Sequence, residues 1–229
     1  MNGVRYNGTM EIHTALDLLN THFGVVQRQP HRDGMSELIL TILSHQTTDR
    51  NSGQAFDTLV HAMPDWADIH AMSIHEISTA IHVAGLAHKK AQYILATLDV
   101  VAQLDPPYNI DFLASQHPQN AIKWLTQIPG IGPKTAACVL LFAYGMPVTP
   151  VDTHIARVCQ RLQLTTQHNA VHIQTELERR VSDNDKFAFH VQFIRLGREI
   201  CHAQRPACMR CPLHDSCPSA PIGGHLGRH

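Results

Sequence analysis

The chain has no excess of charge of either sign: 18 Lys and Arg stand against 19 Asp and Glu, a net charge of −1 with histidine neutral. That excludes a globally basic surface and leaves polyanion binding to local patches. Long apolar runs are also missing. The most apolar stretch, residues 136–143, is far shorter than the roughly 18 residues of a membrane span. Residues 1–11 lack the apolar core of an export signal. Aromatics make up only 6%, and no segment alternates apolar with polar residues as a half-buried strand would. No internal repeat or low-complexity linker is present. These absences point to a cytoplasmic protein without a membrane partner. At 229 residues and 44% hydrophobic composition, it can form one domain or two helical lobes of about 100 residues each. The eighteen histidines are scattered, which reads as compositional bias.

Charge is unevenly placed. Residues 1–85 hold four basic and nine acidic side chains, and residues 86–229 hold fourteen and ten. A basic second half permits polyanion binding through one face.

What is present is helical periodicity, and the fold class predicted is all-α. Ile12, Ala15, Leu16, Leu19 and Phe23 form one stripe at helix spacing. Leu38, Ile39, Ile42 and Leu43 form another behind Ser36 as a cap, and Phe56, Leu59, Val60 and Met63 a third, stopped by Pro64. Ser73 and Glu76 have the spacing of a capping box. A turn at Gly85-Leu86 precedes a helix over 87–104, and Pro118 opens another to about Gln127. Two more helices are expected over 170–181 and 186–201.

Between helices lies Ile128-Pro129-Gly130-Ile131-Gly132-Pro133, then an apolar helix over 134–144. Gly130 and Gly132 would let the backbone approach a phosphate, and the helix behind them presents unpaired N–H groups at its positive end. Such a helix-hairpin-helix grips a nucleic-acid backbone without reading sequence. By itself the turn is equally compatible with an ordinary helix connection. Lys134 starts the second helix of the hairpin. Asp152, after a short connection through Pro147 and Pro150, N-caps a helix over 153–162. An amine and a carboxylate at one cleft mouth would make a nucleophile and its proton acceptor. A nucleophilic lysine needs a setting that favours the neutral amine, since free lysine titrates near 10.4.

Six cysteines are present. Cys138 and Cys159 sit in apolar helical patterns and read as core thiols. Cys201, Cys208, Cys211 and Cys217 crowd the tail with six, two and five intervening residues. In a chain with no export signal this spacing points to metal rather than disulfides. Four thiolates could hold a [4Fe–4S] cluster, one per iron. A zinc site, with His202 or His214 substituting as ligands, is the rival, although only one Cys-x-x-Cys knuckle is present. Arg205 and Arg210 lie within the segment and could face phosphates or balance thiolate charge.

Taken together, the run Pro129–Ala136, then Val151-Asp152-Thr153-His154, then the 6-2-5 cysteine spacing resembles the endonuclease III family of helix-hairpin-helix DNA glycosylases. Leu43-Ser44-His45-Gln46-Thr47-Thr48-Asp49 resembles that family's Leu-Ser-x-Gln-x-x-Asp segment, and Gly85-Leu86 followed by Lys89-Lys90-Ala91 its wedge loop. The resemblance spans residues 36–217. It implies a base excision repair enzyme with glycosylase and abasic-site lyase activities, acting as a monomer on damaged double-stranded DNA of the nucleoid, with oxidised pyrimidines as lesions. It places Lys134 at the Schiff-base lysine and Asp152 at the catalytic aspartate. Gln46 and Leu86 fall where side chains enter the duplex; Gly130, Gly132 and His154 fall at further DNA contacts. The four tail cysteines fall at the cluster ligands. The implied fold is a six-helix barrel over 34–147 and a cluster domain from 1–33 and 148–229, flanking a DNA-binding cleft. Pro133 stands where the family frequently has a basic residue, and His45 and Thr47 where small residues are common. The alternatives are a monofunctional mismatch glycosylase and a non-catalytic DNA-binding or redox-sensing module.

Overall fold

The computed structural model describes residues 10–29 and 32–220, and these form an all-α protein with no strand among them. No helix of the described residues is long and apolar enough to cross a membrane. The chain divides into two compact units: a contiguous one, Gln29–Met146, and one built from both ends, Met1–Arg28 with Pro147–His229.

Helix α1 (Ile12–Phe23) belongs to the unit built from both ends. The contiguous unit carries α2 (Gly34–Leu43), α3 (Asp49–Ala62), α4 (Trp66–Ala71), α5 (Ile74–Ala80), α6 (Ala87–Val101), α7 (Pro118–Leu125) and α8 (Pro133–Tyr144). At its centre is α8, whose residues Thr135 to Leu141 are all buried. It packs against α2 and α7, while α2 also meets α3 and α6. Leu38, Ile39, Ile42 and Leu43 of α2 are fully removed from water, as are Ile94 and Leu98 of α6. Each such side chain contributes about 1.5–3 kcal/mol of transfer free energy.

The caps show how the sequence sets these boundaries. Ser73 and Glu76 form the expected capping box at α5. The cap of α2, in contrast, is Asp33 and not Ser36. The Asp33 carboxylate accepts from the Ser36 amide at 2.8 Å and from its hydroxyl at 2.7 Å, because a carboxylate can serve both donors at once. Helix α6 stops at Val101, three residues before the expected end, and α4 has no sequence counterpart in the periodicity because Ile69 is its one buried residue.

The other unit completes the set with α9 (Thr153–Arg161), α10 (Ala170–Arg180) and α11 (Lys186–Glu199). Helix α11 packs on α1 and α9, and α10 on α9. Leu16, Leu19, Ile155, Val158, Ile173, Leu177, Phe189 and Phe193 form one core, and Cys201, Cys211 and Cys217 pack against its edge. A buried polar network holds the entry to α9. Lys186 Nζ donates to the Pro147 carbonyl at 2.8 Å and pairs with Glu178 and Asp183, Glu178 accepts from the Thr149 amide at 2.6 Å, and His190 meets the Pro150 carbonyl at 3.1 Å.

Candidate active site and metal centre

The hairpin turn follows α7 and leads into α8. Gly130 has a φ of +86°, in the left-handed region that L-residues avoid. A Cβ there would lie 2.4 Å from Cδ1 of Tyr93. Both facts require glycine. Gly132 is different: its φ is −90°, and a Cβ would meet nothing within 4 Å. As the N-cap of α8 it contributes no side-chain hydrogen bond, and Pro133 at the next position carries no N–H. The first turn of α8 therefore keeps its positive end uncapped by any side chain. Lys134 is half-buried on that turn.

Beside it stands His45, whose Nε2 lies 3.0 Å from the Thr135 hydroxyl. Burial, and then the charges of Lys134 and Lys90, hold its pKa below the ordinary histidine value. These causes favour the neutral imidazole at a position close to Lys134.

Gln46 and Leu86 share a property no pattern disclosed. Both adopt left-handed backbone, with φ of 52° and 49°, a conformation costing about 1–2 kcal/mol for an L-residue. Both are exposed, Leu86 at 54%. An ordinary loop leucine would dock on the core; this one does not. Strain of this kind persists only where the surroundings over-determine it. Close to both turns lies Lys90, which is 2% exposed and whose Nζ donates to the carbonyls of Leu43 at 2.7 Å and Ala84 at 2.8 Å. Sequence reading saw Lys90 as half of a Lys-Lys pair, whose two members look alike until the fold buries one.

In the other unit, Asp152 N-caps α9, its Oδ1 accepting from the Ile155 amide at 2.8 Å. His154 follows, with Arg157 Nη2 3.1 Å from its Nδ1. A guanidinium can only donate, so Nδ1 accepts and the ring proton resides on Nε2. Lys134 belongs to the contiguous unit, and Asp152 and His154 to the other.

Cys201, Cys208, Cys211 and Cys217 line one cavity of about 210 Å³, together with Ile200, Pro206 and His214. Four thiols around one cavity suit a multi-iron group with one thiolate per iron. Burial, reinforced by the neighbouring cysteines, pushes Cys211 up to about 11 and raises Cys217, so cationic iron is what would make them thiolates.

Arg205 and Arg210 are exposed. Other arginines hold this segment's backbone. Arg161 instead reaches the His202 carbonyl at 2.7 Å, the Ala203 carbonyl at 2.9 Å and Cys201 Sγ at 3.2 Å. Arg157, one turn earlier, donates to the Cys201 and Gly197 carbonyls at 2.9 and 2.8 Å. Their i, i+4 spacing on α9 was the available signal.

Comparison with known proteins agrees with this geometry. Residues 39–183 match the HhH-GPD superfamily of base excision DNA repair proteins, and residues 201–217 match the iron-sulfur binding domain of endonuclease III. Endonuclease III of Sulfolobus acidocaldarius is 35% identical over 191 residues, covering 81% of this chain and 82% of the relative. The chain belongs to the endonuclease III family. Endonuclease III of Escherichia coli K12 is 32% identical over 184 residues, covering 79% and 81%. Among solved structures, a trapped endonuclease III–DNA covalent intermediate superposes with a TM-score of 0.76 at 28% identity, covering 91% of this chain and 94% of that one. A thermostable thymine-DNA glycosylase, at a TM-score of 0.72 and 23% identity, shares the fold. As a member of the endonuclease III family the chain is a base excision repair DNA glycosylase, DNA is its partner, and its cofactor is a [4Fe–4S] cluster.

Proposed function

We propose that Lys134 is the nucleophile of a bifunctional glycosylase and abasic-site lyase, with Asp152 as its carboxylate partner. The observation that carries this reading is the position of Lys134 on the first turn of a helix with no side-chain N-cap and a buried middle, Thr135 to Leu141, directly behind the hairpin glycines. A relative that forms a covalent intermediate with DNA supports it.

The chemistry follows from the residue types. A base in the stack is out of reach, so the nucleotide must be extruded, at a cost of a few kcal/mol. Leu86 supplies an exposed apolar wedge and Gln46 a polar filler, both on rigid left-handed turns. Gly130 and Gly132 bring the backbone close to a phosphate, and His154 adds a donor through its Nε2–H. The Lys134 amine attacks C1′, the bond from C1′ to the base breaks, and the base leaves with the electron pair. The sugar ring then opens as the C1′–O4′ bond breaks and O4′ takes up a proton, leaving an iminium between C1′ and Lys134. The iminium acidifies C2′; loss of that proton expels the 3′ phosphate by β-elimination, and water then frees Lys134. Asp152 takes up the amine proton and stabilises cationic character at the sugar. Cys201, Cys208, Cys211 and Cys217 would hold the cluster, which when bound supplies four iron–thiolate bonds that cross-link the tail segment. No step of the sugar chemistry passes through it.

The substrates we assign are oxidised pyrimidines in double-stranded nucleoid DNA, processed by a monomer. The contiguous unit serves as the barrel domain and the chain ends as the cluster domain.

Borohydride trapping on an abasic-site duplex tests the assignment. Wild-type protein is expected to give a covalent adduct, and Lys134→Gln to give none while still binding the duplex. An adduct of undiminished yield with Lys134→Gln refutes the nucleophile, and binding with no adduct from either protein identifies a non-catalytic module.

A further inference from the structure

Lys90 is among the largest fully buried side chains of the described residues, and the sugar chemistry does not use it. It sits in the first turn of α6, four residues after Leu86. Its two acceptors are informative. The Leu43 carbonyl closes α2, three residues before Gln46, and the Ala84 carbonyl ends the short 3-10 turn His82–Ala84, two residues before Leu86. One ammonium therefore ties the root of the Gln46 loop to the root of the Leu86 loop. Burial holds its pKa below the ordinary lysine range, which a carbonyl pair partly offsets because each presents the negative end of a dipole. A plain packing role would be met by leucine or methionine without any cost of desolvating a charge.

We propose that Lys90 is a positioning residue for nucleotide extrusion: by bridging the Leu43 and Ala84 carbonyls it fixes the spacing of the two strained loops that enter the duplex. The inference rests on the reading of Gln46 and Leu86 as the entering residues. A wedge and a filler must act on adjacent steps of one duplex, so an error of about 1 Å in their separation costs extrusion while leaving the nucleophile in place. Both loops keep a backbone conformation that relaxes if the tie is released.

The test compares two substrates. One is a fully paired duplex containing a pyrimidine lesion; the other carries a preformed abasic site in single-stranded DNA, where nothing has to be extruded. For Lys90→Met, which keeps the stem and removes the ammonium, single-turnover rates are expected to fall tenfold or more on the paired duplex and less than twofold on the single strand. Lys90→Arg, which keeps the charge and donors at a different reach, is expected to recover at least a third of the paired-duplex rate and covers the case in which the methionine variant does not fold. In the Leu86→Ala background, Lys90→Met should add less than twofold to the paired-duplex loss, since the two act through one wedge. Equal losses on both substrates, or full additivity with Leu86→Ala, overturn the proposal. If Leu86→Ala alone shows no greater loss on the paired duplex than on the single strand, it is the reading of Leu86 that fails.

Discussion

The two hairpin glycines should be unequal, and substituting alanine separates their roles. At Gly130 alanine must adopt a φ near +86°, costing about 1–2 kcal/mol. Its Cβ also lands 2.4–2.8 Å from three atoms of the Tyr93 ring, an overpacking worth about 1–3 kcal/mol. Against these, alanine restricts the unfolded chain and returns about 0.4–1 kcal/mol. The expected net destabilisation is about 2–4 kcal/mol. For a chain of this size, roughly 2–4 °C of melting temperature accompanies each kcal/mol, so Gly130→Ala should melt about 4–16 °C lower. Gly132→Ala has room for its Cβ and an allowed φ, so it should cost less than about 1 kcal/mol as a poorer N-cap.

Thermal and urea unfolding of both variants measure these values, and Tyr93 supplies the control. In a Tyr93→Leu background the cost of Gly130→Ala should shrink by about 1 kcal/mol or more, because the ring atoms in the way are gone. Duplex binding then completes the contrast: Gly132→Ala should weaken it despite near-normal stability, since a methyl group there intrudes where the phosphate is proposed to approach. If Gly130→Ala melts within 1 °C of wild type, or if Gly132→Ala is as unstable as Gly130→Ala, the steric reasoning is wrong.

The environment of His45 makes a pH prediction. Its ring should titrate below 6.5 by NMR, and Lys134→Gln should move the midpoint upward, because the Lys134 charge is the second cause of the depression after burial. Below pH 6.5 the unfolded chain takes up this proton before the folded one, so stability falls as pH drops through that window. His45→Gln should flatten that limb, and an unchanged limb refutes the assignment. Arg161→Ala removes the donors to Cys201 Sγ and two carbonyls. Charge-assisted bonds are worth about 1.5–3 kcal/mol each, so visible cluster absorption should bleach about tenfold faster under chelator; equal rates would show that the arginine does not hold the segment.

Much of this molecule is legible before folding because its signals are local. A capping box at Ser73 and Glu76, a proline opening α7, and glycines flanking an apolar run each act within a few residues, and each has its counterpart in the structure. The cysteine spacing is equally local, since the segment closes on itself around one cavity. What stays hidden depends on groups distant in sequence. Lys89 and Lys90 are adjacent and chemically identical, yet one lies 5.7 Å over the Tyr93 ring and the other is buried between two carbonyls. Which one turns inward is decided by where α2 ends, 47 residues away. Likewise Arg157 and Arg161 look like the polar face of an amphipathic helix until the cysteine segment folds back over it. The strain at Gln46 and Leu86 has no sequence mark at all, because neither is a residue type that favours left-handed backbone.

Charge then explains why that hidden geometry matters. The contiguous unit, which carries the hairpin, has six Lys and Arg against ten Asp and Glu, a net −4. Of its six cations Lys90 is buried and Lys134 is the proposed nucleophile. Counterion release by exposed cations is therefore a poor source of DNA affinity on this unit. The twelve basic residues of the other unit, against nine acidic ones, are better suited to supply it. On the reading proposed above, the hairpin unit relies on oriented N–H groups and on side chains that enter the stack, and these act only at fixed positions. An acidic unit that engages DNA by shape cannot tolerate loose loops. On that reading, Tyr93 packed against Gly130 and the proposed Lys90 tie near Gln46 and Leu86 supply by rigidity what surface charge would otherwise supply.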